Sequence, residues 1–171
     1  MEIKNSYVLV ASCTRKGHFR QLTSPAADEI DKNARREAAA CRNAGRAGRI
    51  LMDAADICLE TGYLLRASHL YYDALLLMAD YSLEHRTLRL AHEMSRAGRG
   101  LENVKRRVGG TTSYTEEMRV RDLLKTVTAL YQEVDLNMED ITVDADVDFS
   151  NVAVFFEAGH RRYIEKCNNA L

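Results

Sequence analysis

The sequence predicts an all-α protein: a single-domain bundle of five or six helices over residues 24–171, preceded by an extended arm and connector over 1–23. Three observations carry that reading. Proline occurs once, as Pro25, in 171 residues, so long helical stretches run without the lost hydrogen bond and the clash that an interior proline imposes. Apolar residues recur mostly at spacings of three and four, the period of a helix face. Cap residues and glycines then divide the chain into helix-length pieces. A hydrophobic share of 46% against 29% charged is the composition of a globular chain with a core, not of a disordered one.

The elements follow in order. "SYVLVASC" has the one strand-like pattern, through Tyr7, Val8 and Val10, and is too short and solitary to build a sheet. "TSPAADEID" is a helix start: Ser24 can cap, Pro25 suits the first turn, and Asp28 and Glu29 complement the positive helix end. This helix is expected to run to a C-cap at Gly45, with "GRAGR" a break. A second helix, Arg49 to Thr61, puts Ile50, Leu51, Ala54, Ile57 and Cys58 on one side and stops at Gly62. The third covers the most apolar stretch, with Leu65 to Tyr81 the most buried helix of the bundle and a break near Ser82. A fourth spans Leu83 to Ala97, and "AGRGLENVKRRVGGTTS" reads as a basic, glycine-bearing loop. Ser113 and Glu116 have capping-box spacing and open a helix to about Val134, with Met118, Leu123 or Leu124, Val127, Leu130 and Tyr131 inward. An acidic connector, "DLNMEDITVDADVD", leads to a last helix capped by Ser150.

Charge is divided unevenly. Residues 1–110 hold 18 basic and 13 acidic side chains, and residues 111–171 hold 6 and 12, so the basic part is expected to pack against the acidic part. Arginine supplies 18 of the 24 basic residues, which suits fixed pairing with carboxylate or phosphate. Cys13, Cys41, Cys58 and Cys167 include no CxxC pair and no zinc spacing, and a reducing cytoplasm is the expected compartment. "YVLVASC" ends in a cysteine as lipoprotein cleavage boxes do, but its apolar stretch is too short for one. No run is long enough to span a bilayer, so no membrane association is expected.

Candidate sites are few. "DADVDF" sets Asp144, Asp146 and Asp148 at the first ligand positions of a calcium loop, yet Phe149 stands where glycine is needed and Phe155 where glutamate is needed. "RVGGTTS" lacks the lysine of a phosphate loop. No metal and no cofactor is implied. Arg66, His69, Asp73 and Asp80 recur on one helix face. Either His69 and Asp73 bond to each other on a wet face, or Asp73 orients His69 as a base. Arg89, His92, Arg96 and Arg99 form a second polar face, with Arg89 and Glu93 spaced as an ion pair. Arg96, Arg99, Lys105, Arg106 and Arg107 are the candidates for contact with nucleic acid; the low aromatic share of 7% offers few platforms for bases.

Two resemblances add to this. Ala55, Cys58, Gly62, Ala67, Tyr71 and Ala74 fall on the small and aromatic packing positions of a tetratricopeptide-type hairpin over residues 54–74, although Ala79 replaces the closing proline and no second repeat follows. "TGYLLRASHLYYDALLLMADYSLEH", "RTLRLAH" and "FFEAGHRRYIEKC" resemble the HEPN superfamily of small helical bundles. Many of its members are metal-independent endoribonucleases with an R-x(4–6)-H motif, which Arg86 and His92 would supply here. The resemblance implies proton transfer by His92 and charge stabilisation by Arg86.

Two functions are therefore expected in turn. The first is an intracellular interaction or regulatory module, working through a protein partner or by self-association as an oligomer. The alternative is a toxin-type, HEPN-like ribonuclease; RNA is a possible partner but not the favoured one.

Overall fold

The computed structural model describes residues 24–110, 112–134, 136 and 149–170. The arm over 1–23, with Tyr7, Val8, Val10 and Cys13, lies outside the described residues, as does the acidic loop with Asp144, Asp146 and Asp148. Among the described residues the protein is all-α, with six helices and no strand: α1 (Ser24–Ala40), α2 (Ala44–Glu60), α3 (Leu64–Glu84), α4 (Ala91–Val108), α5 (Tyr114–Glu133) and α6 (Phe149–Asn169).

α3 sits at the centre, packed on α2 and α4, which also meet each other, with α1 and α5 against it as well and α6 laid on α4. Its Leu70, Tyr71, Ala74, Leu75, Met78 and Ala79 are buried, in one apolar core to which all six helices contribute. Leu65, expected to be part of that buried run, is instead 55% exposed at the helix's first turn.

The glycines explain most of the differences from the expected boundaries. α1 ends at Ala40, and Asn43 caps α2 by accepting a bond from the Arg46 N–H at 2.9 Å. Gly45 and Gly48 thus lie inside α2, not in a break. A Cβ on Gly48 would fall 2.6 Å from Met78 Sδ, so the glycine lets α2 and α3 approach. Gly98 and Gly100 play the same part in α4, where a Cβ on Gly100 would enter the Tyr71 ring and one on Gly98 would crowd Ala153. The "AGRGLENVKRRV" stretch is consequently helix and not loop. Glycine stops helices only where the backbone turns left-handed, at Gly62 (φ 87°) and Gly109 (φ 79°).

The expected break near Ser82 does not occur there. The Ser82 hydroxyl donates to the Met78 carbonyl and stays within α3, which runs to Glu84. The chain instead leaves the helix over residues 85–90, and α4 begins at Ala91, well past the Leu83 expected. Ser113 caps α5 by accepting from the Glu116 N–H. On that helix Met118, expected inward, is 37% exposed, and Glu117 is buried in its stead. Ser150, expected as a cap, is the second residue of α6.

Candidate functional site

The basic residues divide into those the fold engages and those it leaves open. Arg66, on α3, reaches Asp28 and Asp31 on α1, and Arg35 on α1 reaches Asp31 and Asp73. Asp31 is the buried centre of this cluster, 6% exposed. The charges around it and the low-dielectric surroundings both act on Cys58: burial first, then the Asp31 carboxylate, push its thiol up to about 12, against the smaller opposing pull of Arg66. Cys58 is therefore a core residue and not a nucleophile.

The polar stripe on α3 takes part in this cluster rather than forming a dyad. Asp73 is held by Arg35. His69 Nε2 faces Glu116 Oε2 across to α5 at 3.9 Å, and that oxygen is buried with no hydrogen-bond partner. Burial, foremost, raises the Glu116 carboxyl above its ordinary range. Asp80 is exposed.

The candidate nucleic-acid residues are likewise engaged by protein groups. Arg96 binds Asp53 at 2.8 Å and Asp56 at 2.7 Å on α2, and Asp56 also accepts from the Tyr71 hydroxyl. Arg99 pairs with Glu157 on α6. Lys105 lies 3.7 Å from Glu117 and Arg106 lies 2.8 Å from Glu102, while Arg107 donates to the Leu59 carbonyl at 2.5 Å. Arg86–Glu133, Arg99–Glu157 and Lys105–Glu117 join the basic part of the chain to the acidic part, the packing that the charge division predicts.

Arg86 and His92 line different cavities. Arg86 occupies the link after α3 with φ 48°, a left-handed conformation that costs a residue with a Cβ about 1–2 kcal/mol. It lines a cavity of about 610 Å³ with Arg42, Asn43, His85, Arg89 and Tyr163 among the walls. His92 lies on α4 and lines a second cavity, about 390 Å³, with Glu157, His160, Arg161 and Ile164. There its ring centroid is 5.5 Å from that of His160. Burial, first, and the charge of His92 lower the His160 pKa, with Glu93 opposing, so His160 favours the neutral form that can accept a proton. His160 is the residue the sequence reading missed. Its one signal was a histidine in a basic segment, "GHRRY", of a helix whose partner could not be read.

Apolar side chains are exposed at the other end of the bundle. Leu65 begins α3, Val108 ends α4, and Tyr114 and Met118 begin α5; they are 55%, 45%, 74% and 37% exposed. The Ser68 and Thr112 hydroxyls, 2.6 Å apart, bring these three helix ends together. A groove of about 320 Å³ lined by Ala27, Tyr63, Leu64, Leu65, Arg66 and His69 adjoins them.

Among the described residues, no group of three or more His, Cys, Asp or Glu is placed to hold a metal, and no helix is long and apolar enough to cross a membrane. No family model, curated protein or solved structure matches this chain.

Proposed function

We propose that this protein is a helical interaction module that acts by protein–protein association through the apolar end of its bundle. The observation that supports the reading is the exposure of Leu65, Val108, Tyr114 and Met118 at adjoining helix ends. Scattered surface apolar residues are ordinary, but apolar side chains exposed together at adjoining helix ends, an aromatic among them, are the composition of a binding surface. Arg66 and His69 beside the groove supply its polar rim. The partner is a protein surface with apolar side chains, a second copy of this chain being the first to test. Sedimentation velocity over a wide concentration range, on the parent and on Leu65→Glu/Tyr114→Glu, reads the association. Assembly or partner capture that the double variant abolishes supports the reading. A parent that stays monomeric and captures the same proteins as the double variant overturns it.

A second reading, a metal-independent ribonuclease, is favoured by the His92–His160 pair. Two imidazoles in one cleft can act as acid and base when they hold different protonation states, and Arg161 beside them can neutralise phosphate charge. In this reading Arg161 takes the role first given to Arg86, which is bound to Glu133 in the neighbouring cavity. Removal of either histidine should lower cleavage by about 10²–10⁴-fold without a change in melting temperature above the ordinary imidazole range. A parent protein with no cleavage in the absence of metal rules it out.

A further inference from the structure

We infer that the 610 Å³ cavity between the start of α2, the link after α3 and α6 binds a small organic phosphate, with the guanidiniums of Arg42 and Arg89 on its phosphoryl oxygens. Arg35, Arg49, Arg66, Arg86, Arg96, Arg99, Arg106 and Arg121 each meet a carboxylate. Arg42 and Arg89 are exposed and have no such partner among the described residues, and both line this one cavity. For Arg89 the reason is visible: it lies in the link before α4, out of the helical register that would set it against Glu93, and Glu93 meets Arg49 on α2 at 3.4 Å. Two unneutralised guanidiniums around one concavity raise the local concentration of anions and offer forked donors that fit phosphate oxygens in pairs.

The rest of the lining agrees with that ligand. Arg86 adds a third guanidinium, partly neutralised by Glu133. Its left-handed backbone is the kind of strain that gathers at binding sites. Ala44 and Gly45 form part of the wall, and N–H groups of a helix's first turn have no acceptor within the helix. They add donors to a site that the arginines define. The remaining wall is flat and carbon-rich: Tyr163, Leu90, and His85 stacked on Tyr81 at 4.1 Å between ring centroids. This wall can take the organic part of the ligand, and the volume suits a small molecule rather than a bare ion.

The test is isothermal titration of the full chain with phenyl phosphate, glycerol 3-phosphate, inorganic phosphate and phenol, at low and moderate salt. The expected order is phenyl phosphate tightest, the other two phosphates weaker, and phenol without binding. Arg42→Ala and Arg89→Ala should each weaken phenyl phosphate at least tenfold, roughly the loss of one charge-assisted bond, while Arg42→Lys retains part of the affinity. Arg119→Ala, exposed on α5 and outside this cavity, should leave it unchanged. Both sites are exposed, and unchanged melting curves show that the variants fold. Equal binding of phenol and phenyl phosphate, no loss in Arg42→Ala and Arg89→Ala, or an equal loss in Arg119→Ala would each overturn the assignment.

Discussion

The α1–α3 seam and the cavity at the start of α2 are built from the same residue type and end up in opposite conditions. In the seam, Arg35 and Arg66 converge on Asp28, Asp31 and Asp73, and each cation has at least two carboxylates in reach. At the cavity, Arg42 and Arg89 meet none among the described residues. The difference lies in the partner helix and not in the arginine. Where a parallel neighbour brings aspartates into register, arginine is part of the scaffold. Where Glu93 is drawn to Arg49, Arg89 is left for solvent or a ligand. An arginine-rich sequence therefore says little about binding until its carboxylates have been located.

The contrast can be tested from the largest effect downward. Leu75→Ala sets the scale, since Leu75 is fully buried on the helix that carries the seam; truncation should cost about 2–5 kcal/mol in chemical denaturation. A loss under about 1 kcal/mol would show that α3 is not the centre of the core. Asp31→Asn removes the charge shared by Arg35 and Arg66 and should cost about 1–3 kcal/mol, less than a wholly buried pair because both arginines are partly exposed. If it costs nothing, the seam is decoration and the two regions do not differ.

Two titrations sharpen the picture at intermediate size. The Glu116 carboxyl is raised in the fold, so the unfolded chain gives up that proton first, and the stability present at low pH is lost as pH rises through the raised value. Glu116→Gln should raise the melting temperature near pH 7, by about 2 °C, and flatten the slope just above the ordinary carboxylate range. The His160 pKa moves the opposite way: the unfolded chain binds its proton first as pH falls, so this contribution is present above the ordinary imidazole range and is lost below it. His160→Gln should remove that acid-side slope, and a melt against pH that keeps it would place the titration elsewhere. The smallest effect is at the cavity. Arg42→Ala and Arg89→Ala should each change stability by no more than about 0.5 kcal/mol, and a larger loss would mean that these arginines belong to the scaffold after all.

By itself the sequence determined the all-α class, the central position of the 66–81 stretch, the Gly62 and Ser113 signals, and the packing of a basic part on an acidic one. Each depends on local chemistry: a period, a cap, a left-handed turn, a net charge. It misread Gly45, Gly48, Gly98 and Gly100 as breaks, because glycine looks the same in a turn and at a helix crossing. Only the Met78 and Tyr71 side chains against two of them distinguish the cases. It placed Met118 inward on α5, whereas the structure buries Glu117, which meets Arg121 one turn on along its own helix and Lys105 across from α4. The candidate site followed the same division. His92 was legible as a histidine on a polar face, but its neighbour His160 lies 68 residues away on a helix whose docking no local pattern encodes. The pairing of Glu93 with Arg49, which leaves Arg89 open, was hidden for the same reason. Spacing along one helix favours the i, i+4 partner, but Arg89 lies in the link before α4, and the approach of α2 to α4 gave the glutamate Arg49 instead.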